Sequence, residues 1–294
     1  MELRHLKYFI VVAEELHFTK AAKKLNIAQP PLSQQIKKLE EELEVELFKR
    51  SNRHVELTYA GKVFKSHVHK ILVDIEMSKS EIKEIYEGEK GTIKVGFTGS
   101  ITFDFLPHII HDFSLLYPNV KILPRQLTSS KQIESLIDGS LDVGILVSPI
   151  NSVNIKTINL YKEDFVLVIP TGHELSKQEK SLNADDIVKY PLILTSRNVG
   201  SVYYDSILNY FLMNDLSPKI AYEVEELQTV ISFVSFNLGV SLLPSSMKKF
   251  QNPYVEYREL NQTFHTSISL GFKDTEQDKL ILNFIDFIKS YKIE

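Results

Sequence analysis

Residues 16–39 read LHFTKAAKKLNIAQPPLSQQIKKL, and the fold of the chain is decided here. Two short helical patterns flank a break at Asn26-Ile27-Ala28. Thr19 is the expected N-cap of the first, because its hydroxyl can accept a free N–H of the opening turn. Ala21, Ala22 and Leu25 then share one helical face, and the alanines let another helix approach closely. Gln29-Pro30-Pro31 opens the second helix, since proline is tolerated in a first turn that needs no N–H partner. Leu32, Ile36 and Leu39 recur at i, i+4 and i+7 and are expected to face inward. Ser33, Gln34 and Lys37 lie on the opposite face. The stretch carries five lysines and no acid. Two short helices, a tight turn and an outward amide-and-lysine face describe a helix-turn-helix that suits DNA. The alternative is an ordinary helical hairpin with a solvated basic face.

Working outward, Glu2 to Glu15 has the stripe Leu3, Leu6, Phe9, Ile10 and Ala13 of an amphipathic helix. Beyond the second helix, Glu40, Glu41, Glu42, Glu44 and Glu46 form an acidic run expected to follow it. Residues 45–57 then place a polar basic turn between two apolar segments. That reads as a small hairpin, or wing, whose arginines could reach phosphate or a minor groove. A solvated surface turn is the plainer alternative. The first sixty residues hold ten Lys and Arg against nine Asp and Glu, so the positive face belongs to an otherwise neutral module.

Thr58 is placed to cap the next helix, Tyr59 to about Gly88. Phe64, Val68, Ile71, Ile75, Ser78, Ile82 and Ile85 recur at alternating steps of four and three, a coiled-coil seam. A rod of about thirty residues spans roughly 45 Å. It either packs within its own domain or pairs with a second copy. Gly88-Glu89-Lys90-Gly91 is expected to end it as a hinge.

From there strand and helix patterns alternate. Strands are expected at Thr92–Phe97, Lys121–Gln126, Asp142–Leu146, Asp164–Ile169, Leu192–Thr195, Ile220–Val224, Ser241–Leu243 and Ser267–Phe272. Helices are expected between them, including a continuous Ile101–Leu116 and a closing Thr275–Lys289. The alternation implies α/β architecture with mostly parallel sheets. Two successive units imply two lobes with a cleft, the last strand and helix returning to the first lobe. Ligands in such sheets bind beyond the carboxyl ends of strands, where helix N-termini point. Three junctions carry hydroxyls there: Thr98-Gly99-Ser100, Thr128-Ser129-Ser130, and Thr195-Ser196 with Ser201-Val202-Tyr203. Each hydroxyl alone could simply cap its helix. Together they favour a pocket for a small anion.

Composition narrows the function classes. The 294 residues are 43% hydrophobic, enough for a sizeable core in two or three domains. Net charge is −4, against a protein basic throughout. Cysteine is absent, which excludes disulfides and thiolate metal sites. No stretch approaches the ~18 apolar residues of a membrane span. Glu2, Arg4 and Lys7 precede a short apolar run, unlike a secretion signal. A cytoplasmic location is expected, with no membrane partner. HExxH, GxSxG, P-loop and GxGxxG patterns are absent, and no catalytic set emerges. No enzyme, metal or cofactor is expected.

The segment MELRHLKYFIVVAEELHFTKAAKKLNIAQPPLSQQIKKLEEELEVELFKR resembles the N-terminus of LysR-type transcriptional regulators, densely over residues 1–65. IAQPPLSQQI and GFTGS resemble the subgroup that senses small carboxylates, including muconate, benzoate and acetate responders. The resemblance implies an N-terminal α winged helix-turn-helix at 1–58 and a long dimerisation helix at 59–89. It implies an α/β two-lobed, periplasmic-binding-protein-like effector domain at 90–294, with lobe I at 90–162 and 267–294 and lobe II at 163–266. Its DNA contacts map to Gln29, Pro30, Pro31, Ser33, Gln34, Lys37, Arg50 and Arg53. Its effector pocket maps to Ser100, Thr128, Ser129, Thr195 and Tyr203, lined by Val147. Implied partners are a double-stranded DNA operator, a small carboxylate effector, RNA polymerase, and the chain itself as homodimer or homotetramer. Gln34 stands where the subgroup often has arginine, and Val147 near where it often has a polar residue, which implies a different operator and effector. Activation or repression is left open. The competing class, a solute-binding protein of a transport system, would need a secretion signal and no helix-turn-helix.

Overall fold

The computed structural model describes residues 1–50, 54–150, 152–178 and 181–291. Two compact units, Met1–Glu84 and Ile85–Glu294, are taken in turn.

The first unit opens with α1 (Leu3–Glu15), α2 (Phe18–Lys24) and α3 (Gln29–Leu43). A hairpin of β1 (Phe48–Arg50) and β2 (Val55–Leu57) follows, antiparallel, then the long α4 (Tyr59–Glu87). The cap of α2 is His17, not Thr19: the helix starts two residues earlier, and His17 Nδ1 accepts the Lys20 N–H at 3.4 Å. The turn between α2 and α3 passes through Asn26 at φ +54°, a left-handed position that asparagine tolerates better than most residues. Phe9, Val12, Ala21, Leu32, Ile36 and Leu39 are fully buried, as the inward stripe requires. The acidic run only partly follows α3: Glu40, Glu41 and Glu42 belong to its last turn, Glu44 is its C-cap and Glu46 comes after it. Glu40 Oε1 accepts the N–H groups of Leu47 and Phe48 at 2.8 and 3.0 Å, which fixes the start of the hairpin.

Thr58 caps α4, its hydroxyl accepting the Gly61 N–H at 2.9 Å. The seam divides in two. Val68 is fully buried, and Phe64 and Leu72 pack half-buried on the first unit's core, Phe64 against Phe9 at 4.9 Å between rings. The early seam therefore covers its own module, whose core would otherwise be open on that side. Farther along, Ile71, Ile82 and Ile85 are 39%, 68% and 55% exposed.

The second unit holds the end of α4. Gly88-Gly91 is not a free hinge. Gly88 is buried at φ +73°, and a Cβ on it would stand 2.6 Å from the Leu280 backbone. Asn283 also donates to the Glu87 carbonyl at 2.9 Å. The elements that follow are β3 (Lys90–Phe97), a 3-10 turn (Gly99–Phe103), α5 (Phe105–Leu116), β4 (Asn119–Gln126), α6 (Ser129–Asp138) and β5 (Val143–Ser148). Next come β6 (Ile155–Pro170), α7 (Ala184–Ile187), β7 (Leu192–Thr195), α8 (Arg197–Leu212), β8 (Ile220–Val224) and α9 (Leu227–Ser235). β9 (Ser241–Pro244), β10 (Val255–Arg258), β11 (His265–Lys273) and α10 (Lys279–Ser290) complete the order.

The expected helix over 101–116 is interrupted at Asp104. Pro107 explains the break: in a continuous helix its ring would press on the Phe103 carbonyl and its missing N–H would leave that carbonyl unpaired.

The sheets are mixed rather than mostly parallel. β3 pairs β4 and β5 in parallel, as β7 pairs β8. β11, however, runs antiparallel to both β5 and β6, and β6 runs antiparallel to β9 and β10. β6 is sixteen residues long and begins nine residues before its expected start. Its first part, rich in polar residues, pairs β11; its last part, fully buried, pairs β9 and β10. One strand thus passes from one lobe into the other, and β11 returns beside it. The cleft opens between the lobes, lined by strand-to-helix junctions of both.

Candidate functional site

The cleft is a cavity of about 270 Å³. Its floor is set by the ends of β3 and β7. Ser100, fully buried in the 3-10 turn after β3, has its hydroxyl 2.7 Å from the Tyr203 hydroxyl of α8. That bond joins the two lobes. Burial holds the Tyr203 phenol well above its ordinary pKa, with Glu163 adding to the rise and Ser100 opposing it. The phenol is therefore neutral and can both donate and accept. Behind it, Ser246 donates its hydroxyl to the Ser100 carbonyl at 3.2 Å and its N–H to Glu163 Oε1 at 3.1 Å. Burial raises the Glu163 carboxyl above the usual carboxylate range, and the Ser246 bonds partly offset this.

One wall is the start of α6. Thr128 caps it, accepting the Lys131 N–H at 3.3 Å, which leaves the N–H groups of Ser129 and Ser130 without carbonyls inside the helix. Ser129 Oγ accepts the Val147 N–H at 3.2 Å, so β5 and α6 are tied at the pocket edge. The facing wall carries Thr195, 7% exposed, and the start of α8. α8 restarts after Gly200, whose φ of −138° and ψ of 61° interrupt the helix. Ser201 and Val202, in the first turn of the restarted helix, line the cleft.

All six residues expected in the pocket, Ser100, Thr128, Ser129, Val147, Thr195 and Tyr203, line this one cleft. Sequence reasoning missed four charged or amide residues: Gln126, Lys131, Glu225 and Glu226. Gln126 Nε2 donates to Glu226 Oε2 at 3.4 Å across the opening. The signal was available, for β8 into α9 is a fourth strand-to-helix junction. It carries acids where the other three carry hydroxyls, and a search for hydroxyls passes over it.

In the first unit the expected DNA contacts fall on one face of α3. Gln29, Pro30, Pro31, Gln34 and Lys37 are exposed and Ser33 half-buried, with the Gln29 amide donating to Ser33 Oγ at 3.3 Å. Arg50 behaves differently. Its Nη2 donates to Glu40 Oε2 at 2.5 Å, and its guanidinium lies 4.9 Å from the centre of the Phe18 ring. Both engagements lie inside the module. Arg53 lies outside the described residues. Among the described residues no helix is long and apolar enough to cross a membrane.

Comparison with known proteins agrees with this anatomy. Residues 3–62 match the bacterial regulatory helix-turn-helix protein, lysR family, and residues 86–292 match the LysR substrate binding domain. The HTH-type transcriptional regulator AlsR of Bacillus subtilis (strain 168) is 39% identical over 286 residues, 97% of this chain and 94% of AlsR. The regulator BenM of Acinetobacter baylyi is 34% identical over 98% of this chain and 95% of BenM. The crystal structure of CbnR, a LysR family transcriptional regulator, superposes with a TM-score of 0.90 at 27% identity, covering 98% of this chain and 100% of CbnR. Full-length CbnR complexed with its target DNA gives 0.87, covering 98% and 99%. These relatives are regulators, not enzymes, and the helix-turn-helix sets the chain apart from transport solute-binding proteins. The chain belongs to the LysR family of DNA-binding transcriptional regulators, its helix-turn-helix joined in sequence to a two-lobed effector-binding domain.

Proposed function

We propose that this regulator senses a small carboxylate in the interlobe cleft and reads a two-half-site operator through α3 of paired copies. Ser100, Thr128, Ser129, Thr195 and Tyr203 hold the effector and Val147 packs against it. The single observation that supports this most is the Ser100–Tyr203 bond of 2.7 Å, made between lobes and beside the free N–H groups that open α6. A carboxylate there gains donors from both walls, and a helix start favours negative charge by roughly 0.3–1 kcal/mol. Because the open form would make fewer of these contacts, the ligand has the differential affinity needed to shift the lobes.

On the DNA side, Gln29, Pro30, Pro31, Ser33, Gln34 and Lys37 form the reading face, with Gln34 suited to pair an adenine edge. Arg50 and Arg53 add contacts to phosphate or the minor groove, and the bond of Arg50 to Glu40 helps shape the hairpin. The exposed Ile71, Ile82 and Ile85 support pairing along α4 into a homodimer, or a homotetramer of two such pairs. Residues 1–58, 59–89 and 90–294 serve as DNA-binding, dimerising and sensing domains, with the lobes at 90–162 with 267–294 and at 163–266. The protein acts in the cytoplasm, with RNA polymerase as the partner that carries the outcome to transcription.

The test is a reporter assay with a gel shift beside it. Ser100→Ala is expected to keep operator binding and lose the metabolite response. Full induction of the variant would remove Ser100 from the effector site, and loss of basal operator binding would make it structural.

A further inference from the structure

By its place in the chain Ser100 belongs to lobe I, yet residues of lobe II hold it on both sides. Its hydroxyl meets Tyr203, and its carbonyl accepts the hydroxyl of Ser246 at 3.2 Å. Ser246 belongs to a second 3-10 turn, Ser245–Lys249, which follows β9. That turn is itself pinned to β6, because the buried Glu163 accepts the Ser246 N–H at 3.1 Å. Phe103 ends the Ser100 turn. Its ring meets Phe250 edge to face, with 5.4 Å between centres, and packs on a core cluster drawn from residues 168–255. Asp104 then pairs with Lys249. The chain has a joint just past these contacts: Asp104, at φ −144° and ψ −78°, interrupts the helical path into α5.

We infer that the turn carrying Ser100 is a docked part of lobe II, and that Ser246 is the positioning residue that keeps Ser100 in register with Tyr203. This rests on the cleft as the sensing site, and not on the class of ligand it takes. Breaking the dock would strip the Ser100 carbonyl of the Ser246 donor and open the Phe103 ring to water, two costs that add. The lobes therefore part along the α6 side of the cleft. Ser100 and Tyr203 stay together and present one assembled face before a ligand arrives. Closure brings the wall of Thr128 and Ser129 to that face. An assembled face costs a ligand less ordering entropy than two groups that must first be brought together. Ser246 touches no ligand in this scheme; it acts through the backbone of Ser100.

The experiment is fluorine NMR of the ligand-free, full-length protein with fluorotyrosine in place of Tyr203 alone. Ser100→Ala marks where the line falls once the bond to Ser100 is lost. The parent is expected to give a single line away from that mark. Ser246→Ala is expected to move the line toward the mark. Phe103→Leu, which weakens the same dock through a different contact, is expected to move it the same way. Ser245→Ala changes the same turn as Ser246 and is expected to leave the line in place. Two lines in the parent, one of them at the mark, overturn the inference, because the bond then opens as the lobes do. A line unmoved by Ser246→Ala removes Ser246 as the positioning residue. Equal movement with Ser245→Ala overturns it too, since any loosening of the turn would then suffice. Melting of every variant is followed in parallel, and should Ser246→Ala unfold, Phe103→Leu decides for the dock by the same reading. No ligand enters these spectra, so a failure here leaves the carboxylate reading standing, and a failure of that reading leaves these spectra unchanged.

Discussion

The DNA-binding unit and the sensing unit place their sites in opposite ways. The proposed reading face of the first is a run of nine residues on one helix, Gln29 to Lys37, backed by Leu32, Ile36 and Leu39 of the same helix. The cleft of the second is assembled from four strand-to-helix junctions, near residues 98–100, 126–131, 195–203 and 225–227, spread over two lobes. A face on one helix inherits its geometry from helical periodicity, so it stands or falls with that helix. A cleft between lobes inherits its geometry from junctions on separate segments, so each wall can change alone.

The sharpest way to break this contrast is in the core. Ile36→Ala removes a fully buried side chain directly beneath the reading face and is expected to cost about 2–5 kcal/mol. Calorimetry should show the transition of the DNA-binding unit moving to lower temperature while that of the sensing unit stays. Joint movement of both would mean the units do not melt separately.

Next in size is Arg50→Ala. The Glu40 side chain is 11% exposed and would lose its charged partner, which is expected to cost about 1–3 kcal/mol in operator binding or stability. The salt dependence of binding decides what Arg50 does. An unchanged slope with lost affinity fits an internal tie, whereas a slope reduced by about one unit fits a phosphate contact.

In the cleft, Tyr203→Phe deletes one half of the bond that joins the lobes. The expected loss is about 0.5–1.5 kcal/mol, read as a weaker metabolite response in a reporter strain with operator binding retained. A response equal to the parent's would show that Ser100 finds another partner.

The smallest expected effect depends on pH. Glu163 is buried, so its carboxyl keeps its proton longer in the folded chain than in the unfolded one. The sign follows from linkage: this group's stabilisation is complete below its ordinary value of 4.5 and is lost as pH rises through its raised value. Glu163→Gln cannot ionise. Its melting temperature relative to the parent is therefore expected to rise between pH 4.5 and 8, and a constant gap would argue that the carboxyl ionises freely in the fold.

Much of this molecule is legible in its sequence. The inward stripe of α3, the proline-opened start of that helix, the Thr58 cap and the four residues 192–195 of β7 follow from side-chain periodicity and local hydrogen bonding, which act over a few residues. The hydroxyl-bearing junctions were legible for the same reason, since strand ends and helix starts have local signatures. What stayed hidden is non-local. The polar first half of β6 does not look like a strand, because its partner is β11, about a hundred residues away. Antiparallel pairing at β11 cannot be read from alternation of strands and helices. Arg50 looks like a free cation until Glu40 and Phe18 are brought beside it, and Glu226 looks like a solvated acid until Gln126 meets it across the cleft. The sequence by itself determined the elements and the residue types placed at their ends. Only the tertiary structure decided which charges are already spoken for, because that depends on which distant segments the fold packs together.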